Sequence, residues 1–341
     1  MGLSERKKKI LQILVDEYIN TAAPVSSKTI TENHLTNVSS ATVRSELSAL
    51  EEMGYLSQLH TSSGRVPSPM AYKLYVNELM EKKKLSKNQL NYIESIINSG
   101  ADNLEYVVKN TLKVISELTD YTTVAMTKHD VNEMIESVKL LNIKPGVALL
   151  LIVTENNLLK DNIIGIPQGM SEKDVEAASD MLNKILAGKK LGEVADISEE
   201  VDREFSAYRD IFASVLGVLR SYCDEIGGEI VLEGEEKILN QPEYTDVDKV
   251  KNFLSVVTSK DKLASLLTED DGSIEINIKI GRDGGETVDD DFSLVTATYS
   301  AGGVKLGTYG VIGPMRMDYP KVITVLENVG KVIENIVKNK K

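Results

Sequence analysis

Residues 4–68 are divided by turn-forming residues into three short helical segments and a pair of strand-like pieces, and that punctuation leaves few folds open. Over 4–20, Ile10, Ile13, Leu14 and Tyr18 recur at helical spacing behind Ser4, a residue type that caps a helix by accepting an unpaired backbone N–H. "TAAPVSS" ends that run, and Ser26 or Ser27 opens a second, short helix reaching Asn33. "HLTNV" turns the chain into a third helix, Ser40 to Met53, which stops at Gly54, a residue that takes left-handed backbone without a Cβ clash. "YLSQLHTSSGRVPS" then offers two strand-like pieces about the turn "SSG". Three helices and a hairpin are the outline of a winged helix-turn-helix.

The third helix carries unusually little bulk outside. Its apolar stripe, Val43, Leu47, Leu50 and Met53, turns Ala41, Ser45 and Ser48 outward, with Thr42 and Arg44 beside them. Small side chains let a helix backbone approach a major groove about 12 Å wide. Hydroxyls reach bases or phosphates, and a guanidinium spans a guanine edge or clamps a phosphate. A surface helix with no ligand would also tolerate this composition. Around the hairpin turn, His60, Thr61, Ser62, Ser63 and Arg65 suit contact with a phosphate or a minor groove, though an ordinary polar hairpin looks the same. The candidate DNA contacts are Ser27 and Lys28 on the second helix, then Ser39, Ser40, Thr42, Arg44, Ser45 and Ser48 on the third. His60, Thr61, Ser62 and Arg65 complete them at the hairpin. Lys7, Lys8 and Lys9 oppose the dipole at the first helix's start, which fits either phosphate contact or a solvated charge run.

Past residue 80, "EKKKLSKNQ" is polar and charged and opens a linker taken to residue 101. Helical periodicity resumes over 102–118, followed by strand-like runs at 121–127, 134–143, 147–154 and 158–165. Residues 171–226 turn helical. There Val201, Phe205, Tyr208, Phe212, Val215, Leu219, Tyr222 and Ile226 step by four and three in alternation, the pattern of a helix seam. It suggests a dimer interface of Val201, Phe205, Tyr208, Phe212, Val215 and Leu219, in which Phe212→Glu would give a folded monomer. Ile211, Leu216 and Val218 widen the stripe, as a helix docked on its own domain would require. Strands at 229–233, 273–281, 291–300 and 303–312 and helices at 245–267 and 319–337 complete the chain. Strands on both sides of a helical block indicate one α+β domain, 102–168 with 229–341, carrying an inserted helical domain at 169–228.

Composition narrows the function. Apolar residues at 42% and charged residues at 27% are the balance of a soluble globular protein. The longest apolar run, "VALLLIV" at 147–153, has strand length and falls far short of the ~20 residues of a membrane span. "MGLSERKKKI" lacks a signal-peptide pattern, and the single Cys223 fits a reducing cytoplasm. The net charge of −13 argues against nucleic acid for the chain as a whole, but it arises beyond residue 84; the segment before it is slightly basic. Such a head can bind phosphates locally while the acidic remainder suppresses loose association. Enzyme signals are poor. His34, His60 and His129 have no metal spacing among themselves or with Cys223. "IGRDGGE" lacks the GxxxxGK[ST] pattern and reads as a hairpin turn, and the carboxylates at 289–291 read as a solvated loop. No catalytic residue, metal or cofactor is expected.

"LSERKKKILQILVDEYI", "PVSSKTI", "SSATVRSELSALEEMGYL" and "HTSSGRVPS" closely resemble the heat-inducible transcription repressor family HrcA. The likeness continues through "LNQPEY", "FSLVTATY" and "YGVIGPMRMDYP" and is weakest in the middle helical block. The resemblance implies a winged helix, a GAF-like α+β domain and a mainly helical dimerising insertion within it. It also implies a cytoplasmic homodimer that binds the inverted-repeat operator CIRCE ahead of groE- and dnaK-type chaperone genes. The GroEL chaperonin is implied to keep such a repressor active until heat diverts it. Ser26, Ser45 and Ser63 stand where the family often has glycine, asparagine and alanine, and Phe292 where cysteine is common. Ser45 lies on the proposed reading face, so a base contact there would differ. A small-molecule-sensing regulator is the rival reading, since GAF-like domains often hold ligands in an apolar pocket.

Overall fold

Small hydroxylated residues start the first helices, as their spacing predicts. In the computed structural model, which describes residues 3–58, 64–99, 104–127, 134–155, 159–195, 208–224, 229–267, 276–281, 292–301 and 304–339, Ser4 caps α1 (Glu5–Thr21). Ser26 caps α2 (Ser27–Asn33) and Ser39 caps α3 (Ser40–Glu52). Gly54, at φ +82°, turns the chain out of α3 into β1 (Leu56–Ser57), which pairs antiparallel with β2 (Val66–Pro67). Arg65 exchanges two backbone hydrogen bonds with Val25, at 2.8 and 2.9 Å, and so ties the hairpin base to the segment entering α2. α4 (Pro69–Leu74) continues into a π-helical turn, Tyr75–Leu79. Residues 87–98, predicted to be linker, form helix α5 (Lys87–Asn98). The local signal was present: Ser86 and Gln89 make a reciprocal capping box.

α6 (Leu104–Thr119) and β3 (Thr122–Thr127) follow. The chain then builds a separate layer from β4 (Ile135–Lys144), β5 (Val147–Thr154), β6 (Leu159–Gly165), α7 (Glu172–Leu186), α8 (Leu191–Ala195) and α9 (Arg209–Asp224). It goes on through β7 (Glu229–Glu233), two 3-10 turns (Glu235–Asn240 and Pro242–Thr245), α10 (Val247–Val257) and α11 (Lys260–Leu267). β8 (Ile276–Ile280), β9 (Phe292–Ala301), β10 (Val304–Pro314) and α12 (Tyr319–Asn339) close the order.

Two compact units result. One comprises Met1–Ala101, Val107–Met126 and Ile230–Lys341; the other comprises Asp102–Tyr106 and Thr127–Glu229. In the first, a five-stranded antiparallel sheet has the order β7-β3-β10-β9-β8. Its central strands alternate between two cores. Val124, Leu294 and Ile312 pack with Phe253, Val257 and Leu266 on one face. Ala125, Val295 and Val311 pack with Val322, Leu326 and Val329 of α12 on the other. The second core is continuous with Ile10, Leu14, Ile30, Val43 and Leu50, so the N-terminal helices share it with the sheet rather than forming a free-standing domain.

In the second unit, β4-β5-β6 form an antiparallel sheet, with α7 against β4 and α9 against β6. The strands at 134–165, which strand–helix order groups with the larger α+β domain, therefore belong with the helices, and the unit begins near 127 rather than 169. The helical seam is corrected as well. Phe212, Val215 and Leu219 are at most 8% exposed and pack with Leu150, Leu182 and Leu186 of their own subunit, while Tyr208 lies half-buried at that core's edge. Val201, Phe205 and Ile226 lie outside the described residues. A four-three repeat reports that one helix face is apolar, not whose apolar surface covers it. Phe212→Glu would thus bury a carboxylate in the subunit's own core. We expect loss of this unit's stability by roughly 3 kcal/mol or more, read as an earlier denaturant transition in circular dichroism rather than as a folded monomer.

Candidate nucleic-acid interface

Helix α3 buries Val43, Leu47 and Leu50 and leaves Ala41, Arg44 and Ser45 exposed, with Thr42 and Ser48 partly so. Met53, the fourth residue of the predicted stripe, is exposed at the helix end. Ser39 Oγ accepts the backbone N–H of Thr42 at 3.1 Å and shares a hydrogen bond with its hydroxyl at 2.8 Å, so both hydroxyls brace the helix start. Ser27 is buried, and its hydroxyl shares a 3.0 Å hydrogen bond with Ser40. That contact joins the starts of α2 and α3; it corrects the assignment of Ser27 as an outward-facing contact. Lys28 is exposed, 3.7 Å from Glu32 one turn on.

The acidic residues of α3 are mostly held by cations. Lys7 Nζ lies 2.6 Å from Glu46, and Arg6 lies 4.0 Å from it. Lys8 pairs with Glu78 at 2.7 Å. Lys7 and Lys8 are therefore paired within the protein, which is neither the phosphate contact nor the solvated charge run that the sequence suggested. Arg65 donates from Nε to Glu51 at 2.8 Å, which ties the hairpin to the last turn of α3. Its side chain supports the helix instead of projecting from the hairpin. His60, Thr61 and Ser62 lie outside the described residues, as do residues 282–291, which include the carboxylates at 289–291.

What fixes α1, the helix behind α3, escaped local sequence reasoning. Arg316, just after β10, donates from Nη1 to the carbonyl of Ile19 at 3.0 Å, from Nη2 to Gln241 at 3.2 Å, and from Nε to Glu243. Tyr75 donates to Asp16 at 2.5 Å, and the Tyr72 and Tyr319 rings stand 6.0 Å apart. Burial raises the Asp16 carboxyl above its ordinary range, partly offset by the Tyr75 hydrogen bond. Burial also pushes the Tyr72 phenol well up. Lys83 pairs with Asp318 at 2.6 Å, and its carbonyl accepts from Thr324 at 2.9 Å. These partners are too far apart in sequence for periodicity to connect. The one available signal was the segment "YGVIGPMRMDYP", which contains Arg316, Asp318 and Tyr319.

Among the described residues no group of three His, Cys, Asp or Glu is placed to hold a metal, and no helix is long and apolar enough to cross a membrane. A cleft of about 570 Å³ between β8, β9 and α12 is lined by Ile276, Tyr299 and Leu326 with the charged Glu327, Lys331 and Glu334.

A capped helix with a small, polar and singly cationic outer face, braced by a second helix and a hairpin, is the apparatus of a DNA-binding transcription regulator. The comparisons with known proteins agree. The family described as HrcA protein C terminal domain matches residues 105–323. The heat-inducible transcription repressor HrcA of Ruminiclostridium cellulolyticum is 37% identical over 343 residues, covering 99% of both chains. That of Clostridium tetani is 37% identical over 345 residues, covering 99% of this chain and 97% of its own. A crystal structure of a hypothetical protein, 22% identical, superposes with a TM-score of 0.69 over 100% of both chains and supports the fold. The chain belongs to the HrcA family of heat-inducible transcription repressors.

Two expectations test the support of the α3 face. A Cβ at Gly64 would lie 2.5 Å from the backbone carbonyl of Val25, an obstacle that cannot rotate away. Gly64→Ala should therefore cost roughly 1–3 kcal/mol, visible as a lowered melting temperature. Arg316→Ala removes the partner of Glu243, whose Oε2 is already buried without a hydrogen bond. Urea titration should show a loss of roughly 3 kcal/mol. Arg316→Lys should recover only part of it, because an ammonium cannot span the three acceptors in the planar guanidinium geometry.

Proposed function

We propose that this chain represses chaperone operons of the groE and dnaK type by binding the CIRCE inverted repeat as a homodimer, with the GroEL chaperonin sustaining its activity. In this reading the N-terminal helices and hairpin are a winged helix-turn-helix. The five-stranded sheet with its flanking helices is the GAF-like domain, and the second unit is the dimerising insertion.

The observation that carries the proposal is the outer face of α3. Ala41, Ser45 and Ser48 are small enough for close approach to a major groove, and Arg44 is the exposed cation among them. The N-terminal half of the helix enters first, as in helix-turn-helix readers generally, with Glu52 at the far end. Arg44 reads a guanine edge, while Thr42, Ser45 and Ser48 reach neighbouring bases or phosphates. Lys28 and the hairpin residues His60, Thr61 and Ser62 contact the backbone. Ser27, Ser39, Ser40 and Arg65 act by holding these elements in place. Two copies related by a two-fold axis match the two arms of an inverted repeat, half-sites being spaced by about 34 Å or its multiples. Heat supplies unfolded protein that competes for the chaperonin, the repressor loses its support, and the operator empties.

Footprinting on the organism's own chaperone promoters, with and without chaperonin, tests the whole scheme; protection of both arms, strengthened by chaperonin, is the expected result. Arg44→Ala should weaken specific binding by roughly 1–3 kcal/mol and relax preference at one base per half-site. Equal weakening on every sequence would instead make Arg44 a phosphate clamp.

A further inference from the structure

Seen along its axis, α3 divides its solvent side into a front and two flanks. At 100° per residue, Ala41, Ser45, Ser48 and Glu52 share the front. Arg44 and Glu51 fall on one flank, and Thr42, Glu46 and Ala49 on the other. The first flank has an arginine of its own, and its carboxylate is held by Arg65. The second has a carboxylate and no cation from α3. The start of α1 supplies two. Lys7 Nζ lies 2.6 Å from Glu46 Oε2 and its side chain is only 20% exposed, so this lysine is taken up in neutralising the carboxylate. Arg6 Nη1 approaches the other oxygen, Oε1, to 4.0 Å, and its side chain is 61% exposed. That distance is beyond hydrogen-bond reach, so Glu46 steers the guanidinium without occupying a donor. Glu5, beside Arg6 in the chain, acts on Lys8, which pairs with Glu78. Two cations against one carboxylate leave this flank with an excess of positive charge, and Arg6 carries it.

We propose that Arg6 is a phosphate clamp, gripping the DNA backbone on the groove wall beside the Glu46 flank, across the groove from Arg44. The inference rests on the DNA reading above and adds to it a residue outside α3 and the hairpin. A helix lying in a major groove about 12 Å wide has a sugar–phosphate wall on each side. An uncompensated carboxylate against one wall would repel it, whereas an excess cation there attracts it. A guanidinium meets phosphate oxygens with two parallel N–H donors. Because Arg6 stands off the front of α3, its contact fixes the register of the helix without selecting a base. Glu46 is a positioning residue: it aims Arg6 and holds Lys7 beside it.

Salt titrations of the full chain, with chaperonin present, on an operator duplex and on a duplex of unrelated sequence test this. Arg6→Ala should flatten the slope of log affinity against log salt by about one unit per subunit, and should weaken both duplexes by the same factor, roughly tenfold per subunit at about 0.1 M salt. Arg6→Lys keeps the charge and should keep the slope. The melting temperature should stay put in both variants, because an exposed pair at 4.0 Å contributes little to folding. Lys251→Ala, an equal loss of charge at an exposed lysine of α10, should leave the slope as in the wild type. An unchanged slope in Arg6→Ala would overturn the proposal. So would an equal flattening by Lys251→Ala, or a loss of affinity that lowers the melting temperature and that Arg6→Lys does not avoid. If Arg44→Ala weakens operator binding while Arg6→Ala does not, the clamp is lost and the DNA reading stands. A wild-type chain that binds neither duplex would remove both.

Discussion

The placement of the α3 face depends on the junction at Arg316. A guanidinium can leave water at low cost only where its planar donors meet matched acceptors. Here they meet the carbonyl of Ile19, near the end of α1, together with Gln241 and Glu243 beside the five-stranded sheet. α1 in turn holds α3, through the core of Ile10, Leu14, Val43 and Leu50 and through the Lys7–Glu46 pair. The orientation of the exposed helix relative to its sheet therefore follows from one partly buried cation and the aromatic contact beside it, Tyr72 on Tyr319. A rigid join of this kind lets a change at the sheet or at α12 be felt at α3, because packed interfaces shift between discrete arrangements rather than stretch.

Around α3, most charged residues are committed to structure. Glu46 and Glu51 are held by Lys7 and Arg65, and Ser39 and Thr42 satisfy the helix start. Arg44 is the exposed cation left on the helix's outer face. An acidic chain can thereby present a locally receptive surface: attraction is concentrated at one short helix while the remaining negative charge repels phosphates elsewhere. The two units also divide their burial differently. Among the described residues the five-stranded sheet is covered on both faces, whereas the three-stranded sheet packs its helices on one.

Much of the fold was legible in the residues themselves. Ser4, Ser26 and Gly54 bound helices where capping chemistry puts them, and the runs at 147–154 and 303–312 correspond to the strands Val147–Thr154 and Val304–Pro314. Helical periodicity alone turned Ala41 and Ser45 outward, as they are, since three buried positions on one short helix determine the rest; Ser48, read as outward with them, is only partly exposed, and Arg44, read as flanking, is fully so. The α5 helix was missed because its polar, lysine-rich approach outweighed the Ser86–Gln89 cap in the reading, although the cap was there to be seen.

The sequence by itself determined most of the local elements, their order and the family. These follow from capping, periodicity and side-chain chemistry within a few residues. Tertiary structure alone decided which surfaces meet. It turned Phe212, Val215 and Leu219 into their own core, drew 134–165 into the second unit, buried Ser27 against Ser40, and brought Arg316 to Ile19 across most of the chain. The physical reason is that periodicity tells which face of an element avoids water, but an apolar face is satisfied equally by any apolar neighbour. Only packing of the whole chain selects which neighbour that is.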